Sequence, residues 1–354
     1  MKKNQARNIA LALLIAAGAQ SVNAQSYDNY NKRELLLQVL DQSRANDYVP
    51  VFFNLHFNDK FGYKAVKSHI DWFRSTHVDF VNVKYEFLPQ QVEVKTPADW
   101  KKIKEIPAAQ WTEQIQVVSE LARELKNEAF IIPTVYSPLA LLNQFTGVWN
   151  AADKEAAKKK LFDLVKKDPE AVKPALEAIT KSLVYYIREA RKAGADGFYI
   201  SSQGGDVESF GGKLFRELIK PYDKQLSDVA NEVAPFNILH VCEGGGHFTA
   251  SSFNDYLDYP GSIVNVPYHE FQGTPLTTKQ VAALFKRPVL GGLPRASKIY
   301  TGTLEEAKAE VDEILKNAPA NFILGADDSV PNDSDPDKLR ALVDYVHSWR
   351  QTHK

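Results

Sequence analysis

A histidine and a cysteine stand two residues apart at the end of one apolar run of this sequence. The run extends from Phe236 to Cys242, and its last three residues are His240, Val241 and Cys242. Alternate side chains of a strand point to the same face, so the imidazole and the thiol would lie side by side. Zinc prefers these ligands, and a catalytic zinc site adds a third protein ligand and an open position. The pair therefore indicates a zinc site, with inert packing of a buried cysteine as the alternative.

A carboxylate is the best candidate for the third ligand. Asp327 and Asp328 follow the last apolar run, which covers residues 321–325. Adjacent carboxylates at a buried strand end repel each other and need a cation or hydrogen-bond donors nearby. Aspartate binds zinc through oxygen. We therefore expect His240, Cys242 and Asp328 to hold one zinc ion.

The composition excludes several other kinds of site. One cysteine in 354 residues cannot form an internal disulfide, a four-cysteine zinc module or a cluster held by cysteines alone. The 43 Lys and Arg residues nearly balance the 44 Asp and Glu residues, for a formal charge of -1. Such a chain has no broad basic field for a nucleic acid, so we expect no nucleic-acid partner.

The N-terminus has the three parts of a secretory signal peptide. Basic residues within the first seven positions precede an apolar stretch, residues 9–17, and a small-residue end that closes at Ala24. The apolar stretch is shorter than the ~20 residues that a membrane span needs. We expect cleavage after Ala24 and a periplasmic or secreted mature domain, residues 25–354, without an integral membrane segment.

Apolar, β-rich runs alternate with amphipathic stretches along the mature chain. Eight such pairs in about 300 residues predict a single-domain (β/α)8 barrel of the α/β class. An open doubly wound sheet is the rival, weakened because no run is followed by a Gly-x-Gly-x-x-Gly turn. The predicted strands are 48–57, 79–86, 129–136, 196–202, 236–242, 262–267, 288–292 and 321–325.

Active sites of such barrels lie at the carboxyl ends of the strands, so residues that finish each run are candidates. Each also has a plain structural interpretation, such as a surface carboxylate, a packed aromatic ring, a partner for an aspartate or a simple turn. The candidate catalytic residues are Glu86, Tyr136, Ser201 and Arg295, and the candidate cofactor-binding residues are His56 and Gln203.

Several segments, taken in order, resemble one known family. They include 167–171 (Lys-Asp-Pro-Glu-Ala), 193–204 (beginning Ala-Gly-Ala-Asp-Gly), 237–242 and 291–295 (Gly-Gly-Leu-Pro-Arg). Together they resemble the uroporphyrinogen decarboxylase superfamily, which includes the decarboxylases and zinc-dependent methylcobamide:coenzyme M methyltransferases. The resemblance spans most of the mature chain and implies the same barrel fold.

The two branches of the superfamily imply different sites. The methyltransferases bind zinc through His-x-Cys, as at His240 and Cys242, and through a later cysteine, whose place is taken here by Asp328. Their zinc activates a substrate thiol for methyl transfer. The decarboxylases have an early arginine-rich loop and an essential aspartate. Residues 54–60 contain no arginine, and residues 81–86 offer no clean counterpart to that aspartate.

Four functions remain open from the sequence. The first is an exported enzyme that uses zinc to transfer a methyl group to a thiol, on a small or tetrapyrrole-related ligand. The second is a metal-free tetrapyrrole carboxy-lyase, in which Tyr136 and either Ser201 or Ser202 contact the substrate. The third is a secreted glycosidase that pairs Glu86 with Glu243 or Asp328. The fourth is a non-enzymatic corrinoid- or porphyrin-binding protein.

Overall fold

The computed structural model describes residues 31–43, 47–85, 89–126, 128–242, 246–267, 276–294 and 297–353. These residues form eight β-strands and twelve α-helices, and each strand is followed by at least one helix. The strands are β1 (Val51–Phe52), β2 (Phe80–Val83), β3 (Phe130–Tyr136), β4 (Gly197–Ser202), β5 (Phe236–Val241), β6 (Ile263–Asn265), β7 (Val289–Leu293) and β8 (Phe322–Ala326). The helices are α1 (Lys32–Val39), α2 (Gly62–Thr76), α3 (Thr112–Glu124), α4 (Pro138–Phe145), α5 (Lys154–Lys167), α6 (Pro169–Lys192), α7 (Lys220–Val233), α8 (Ala250–Asn254), α9 (Thr278–Phe285), α10 (Lys298–Thr301), α11 (Leu304–Asn317) and α12 (Pro336–Thr352).

The strands form a nearly closed parallel barrel. Their order is β1-β8-β7-β6-β5-β4-β3-β2, and every paired neighbour is parallel. Next to the remaining seam, the backbone N–H of Asp79 donates to the carbonyl of Val51 at 3.1 Å. The pairing of the first strand with the eighth excludes the open doubly wound sheet. The predicted single-domain (β/α)8 barrel is confirmed.

The predicted strand boundaries hold better in the middle of the chain than at its start. Each of the eight predicted runs overlaps one observed strand. The first run, 48–57, is mostly wrong as a strand, because only Val51 and Phe52 pair with β8. The apolar residues of this run extend beyond the two that form hydrogen bonds with a neighbouring strand.

The barrel interior changes from apolar to polar along the strands. At the amino end, α1 contributes Leu36 and Val39 to a cluster that also contains Phe52, Phe80 and Ile323. Two residues further along several strands, on the same face, the side chains become polar. This upper layer is buried and consists of Asn82, Thr134, Ser201, His240 and Asn265. Polar chemistry is therefore concentrated at the carboxyl end, where barrel enzymes have their sites.

A buried ionic cluster connects α1 and α12 to the barrel. The Asp79 carboxylate accepts a hydrogen bond from the backbone N–H of Val51 at 2.7 Å and lies 2.9 Å from His347 Nε2 on α12. Lys32 of α1 lies 3.6 Å from the same carboxylate. Burial alone would raise the pKa of Asp79, but His347 and Lys32 outweigh it and lower this pKa to about 2.

Side-chain caps define where outer helices begin, as at α11. Thr303 and Glu306 form a capping box at α11, because Glu306 N donates to Thr303 Oγ1 and Thr303 N donates to Glu306 Oε2. Between β3 and α6 the chain inserts α4, a 3₁₀ turn (Val148–Asn150) and α5. Among the described helices, none has the length and apolar character for a membrane crossing.

Candidate functional site

The three predicted metal ligands lie together at the carboxyl end of the barrel. One ligand atom from each of His240, Cys242 and Asp328 lies within 4.8 Å of the other two. His240 is on β5, Cys242 follows that strand, and Asp328 follows β8. His240 and Cys242 are buried, whereas Asp328 is half-buried. The group is thus open to a ligand from one side.

Backbone hydrogen bonds hold two of these residues in place. The Cys242 N–H donates to the carbonyl of Ser202 at 2.8 Å, which continues the β4–β5 ladder past the last strand residue. One carboxylate oxygen of Asp328 accepts from the N–H of Ser329 at 2.6 Å. The strand ladder therefore sets the position of the thiol, while a local turn orients the carboxylate.

The chemistry of the three donors fits zinc. Ligand distances of about 2.0–2.3 Å in a tetrahedral site place neighbouring ligand atoms about 3.3–3.8 Å apart. The observed limit of 4.8 Å needs a small inward movement to reach that spacing. Thiolate and carboxylate together neutralise a dication, and neutral imidazole adds no charge. The three residues present therefore fit a zinc ion with one open position.

His240 has two neighbours that the sequence analysis did not identify. Its Nδ1 lies 2.6 Å from Oδ1 of Asn265 on β6, and its ring stacks on Tyr199 of β4 with centroids 4.9 Å apart. The signal that could have found Asn265 is the two-residue period, because Ile263 faces the core and Asn265 ends the same short strand.

Two predicted catalytic residues lie on β3 and β4 at the same level of the barrel as His240. Tyr136 pairs in register with Ser201, and Ser201 pairs with His240. Ser201 is 4% exposed on the face that His240 shares. The Tyr136 ring packs edge-on against Tyr85 and Trp149 at the rim. Of the two, Ser201 is closer to the metal group, because its strand, β4, pairs directly with β5.

Gln203 joins the metal group to a neighbouring cavity. Its Nε2 donates to Cys242 Sγ at 3.7 Å. The same residue lines a cavity of about 240 Å³ beneath the α4–α5 insertion, together with Asn143, Trp149 and Lys158. Gln203 therefore borders both the thiol of Cys242 and this cavity.

The remaining predicted site residues do not join this group in the described structure. His56 is half-buried on the loop between β1 and α2, outside the group of three ligands. Glu86 and Arg295, predicted as catalytic, lie outside the described residues, as does Glu243.

A second polar cluster lies behind β4, on the side away from the barrel interior. Ser202 donates to Asp223 of α7, and Tyr259 donates to the same carboxylate oxygen at 3.2 Å. Burial raises the pKa of Asp223 to about 7, and the two hydroxyl donors offset only part of this effect. No local sequence pattern indicates this cluster, because its members are separated along the chain.

The fold and the site define a (β/α)8-barrel protein with a mixed histidine, cysteine and carboxylate group at its carboxyl end. A family model for uroporphyrinogen decarboxylase (URO-D) matches residues 76–349. This chain belongs to the uroporphyrinogen decarboxylase family, and the superfamily is enzymatic. Among curated proteins, none matches the sequence significantly.

Solved structures share the barrel. A methyltransferase from Methanosarcina mazei superimposes with a TM-score of 0.70 at 14% identity, over 91% of this chain and 99% of that one. A putative vitamin-B12-independent methionine synthase from Listeria monocytogenes gives a TM-score of 0.49 at 11% identity, over 86% of this chain and 98% of that one. At 14% identity, the first likeness shows the fold alone.

Proposed function

We propose that this protein is an exported enzyme in which zinc, held by His240, Cys242 and Asp328, supports methyl transfer to a small thiol. The observation that carries the proposal is the convergence of these three donors within 4.8 Å at the carboxyl end of the barrel. Family membership supports an enzymatic role, and the methyltransferase that shares this fold suggests the reaction that we propose.

Each side chain at this site has a distinct role in the proposed reaction. Cys242 and Asp328 supply the negative charge that holds a dication, and His240 supplies a neutral nitrogen ligand. The half-buried side of the group, at Asp328, leaves room for a substrate. Bound zinc would supply Lewis acidity that lowers the pKa of a substrate thiol and makes it a thiolate nucleophile. Gln203 borders both the thiol of Cys242 and the adjoining cavity, so it can orient the organic part of that substrate.

Ligand substitutions test the metal site. The mature protein should bind one zinc per chain, and His240→Ala should reduce binding strongly. Asp328→Ala should weaken binding because it removes a ligand and a charge, whereas Asp328→Cys should retain or tighten it because thiolate is a softer ligand. Elemental analysis after dialysis against a graded chelator measures these differences.

Methyl transfer is tested with defined probes. The zinc-loaded protein should transfer the methyl group of methylcobalamin to 2-mercaptoethanol, which forms a C–S bond and leaves cob(I)alamin. The absorbance of the corrinoid measures this reaction, and the His240→Ala variant should not perform it. If Cys242→Ser and Asp328→Ala bind zinc as well as the parent, the metal site is refuted. The metal-free tetrapyrrole carboxy-lyase and the corrinoid- or porphyrin-binding protein are then the functions to test.

Export is proposed from the N-terminal sequence. Residues 1–24, with their basic, apolar and small-residue parts in order, lie outside the described residues. Expression with the full N-terminus should yield periplasmic protein that begins at Gln25. An intact N-terminus on periplasmic material, measured by mass spectrometry, would contradict this.

A further inference from the structure

Asn265 is the centre of a buried hydrogen-bond network beneath the metal group. Its side chain is completely buried. Its Nδ2 donates to the carbonyl of Leu290 on β7 at 2.9 Å and lies 3.5 Å from the carbonyl of Ala326 on β8. Its Oδ1 faces two groups, the hydroxyl of Tyr199 at 2.9 Å and Nδ1 of His240 at 2.6 Å. The residue thus connects its own strand, β6, to four other strands of the barrel.

This network determines which way the amide points. Backbone carbonyls only accept hydrogen bonds, so the side of the amide that faces Leu290 and Ala326 must carry the NH₂ group. The opposite side must then be the carbonyl oxygen, Oδ1. The hydroxyl of Tyr199 donates to this oxygen and reinforces the assignment.

The orientation of the amide in turn determines the state of His240. An amide oxygen can only accept, so His240 Nδ1 must carry a proton to form the 2.6 Å contact. In a neutral imidazole with a protonated Nδ1, the in-plane lone pair is on Nε2. Stacking on Tyr199 fixes the plane of the ring at the same time.

We propose that Asn265 is a positioning residue that locks His240 in the Nδ1–H tautomer, so that Nε2 is the atom offered to a cation, with Tyr199 holding the amide oxygen in place. The inference rests on the metal site proposed above, and it assigns a ligand atom that the positions of the three ligands alone leave open. Outer partners of this kind contribute to metal affinity by fixing the tautomer and ring orientation of a ligand histidine.

Asn82 provides a matched control. It lies in the same polar layer, is also buried, and donates through Nδ2 to the carbonyl of Ile132 at 2.9 Å. Its other partner is Thr134, at 3.0 Å, rather than a ligand histidine. Asn265→Leu and Asn82→Leu therefore remove similar interactions with strand carbonyls, but only the first removes the acceptor from His240.

The first measurement uses metal-free protein, so it does not depend on the proposed reaction. Two-bond ¹H–¹⁵N spectra of ¹⁵N-histidine-labelled protein distinguish the tautomers, and a His240→Gln variant assigns the signal. The wild type and Asn82→Leu should show the Nδ1–H tautomer of His240, and Asn265→Leu should lose this single state. An Nε2–H tautomer in the wild type would overturn the inference.

The second measurement is zinc affinity by chelator competition. Asn265→Leu should weaken binding about 10- to 100-fold, whereas Asn82→Leu should change it less than about threefold. Asn265→Asp keeps an oxygen acceptor for Nδ1 but sets its second oxygen against the carbonyls of Leu290 and Ala326, so it should recover only part of the affinity lost in Asn265→Leu. Equal affinities for the two leucine variants would refute the positioning role. If the wild type itself binds no zinc, the metal site fails, and the tautomer spectra alone decide what Asn265 does.

Discussion

The buried carboxyl of Asp223 should make the protein less stable at neutral pH than at mildly acidic pH. Asp223 is fully buried in the first turn of α7, and one of its oxygens accepts hydrogen bonds from Ser202 and Tyr259. Among the described residues, its other oxygen has no hydrogen-bond partner. The perturbation that tests this is Asp223→Asn, which keeps the size of the side chain and removes its titration.

The magnitude follows from the raised pKa. Burial raises the pKa of Asp223 from 3.8 to about 7. At 1.36 kcal/mol per pKa unit, this difference corresponds to about 4 kcal/mol. The folded state binds the proton more tightly than the unfolded state, so the free energy of unfolding falls as pH rises from about 4 to about 7. Below that window the carboxyl is neutral in both states, and above it the full cost is present.

Urea unfolding followed by circular dichroism at pH 4.5, 6 and 8 measures the effect. The free energy of unfolding of Asp223→Asn, relative to the wild type, should increase by about 3–4 kcal/mol between pH 4.5 and pH 8. Any fixed cost of the new NH₂ group cancels in this comparison. Asp228→Asn is the control, because Asp228 lies on the exposed face of the same helix, paired with Lys224 at 3.0 Å. If both variants show the same pH-independent difference, the reasoning about Asp223 is wrong.

Two further predictions concern the base of the barrel. The lowered pKa of Asp79, about 2, stabilises the fold above pH 3.8, and this contribution is lost as pH falls from about 4 to about 2. The free energy of unfolding should therefore decrease by about 2 kcal/mol less in Asp79→Asn than in the wild type between pH 5 and pH 2.5, as measured by urea unfolding. An equal decrease in both proteins would contradict this. Leu36 of α1 is fully buried in the barrel interior, so Leu36→Ala should cost about 2–5 kcal/mol, with the half-buried Leu37→Ala costing clearly less in the same assay. Equal losses of unfolding free energy for the two variants would show that packing of Leu36 inside the barrel does not stabilise the fold.

Much of the fold could be predicted because the hydrophobic pattern is local. A run such as β3 is buried at every position, as a strand covered on both sides must be, and eight such runs alternating with amphipathic stretches allow few architectures. The two-residue period also placed His240 and Cys242 on one face. The short helix α1 was not predicted as an element, because eight residues with three buried side chains give a weak periodic signal.

The parts of the site that could not be predicted depend on contacts between distant segments. Ser202 and Asp223 are 21 positions apart, and Tyr259 is 36 positions from Asp223. No local pattern marks such a cluster before the helix packs on the strand. Asn265 is different, since the period of β6 places it on the inner face, but its role requires the positions of carbonyls on two other strands.

The measurement that tests the central claim most directly is X-ray absorption at the zinc edge of the zinc-loaded mature protein. The account predicts one sulfur ligand at about 2.3 Å and nitrogen or oxygen ligands at about 2.0–2.2 Å. The Asp328→Cys variant should show two sulfur ligands. A spectrum without sulfur, or one that Asp328→Cys leaves unchanged, would contradict a zinc site formed by His240, Cys242 and Asp328.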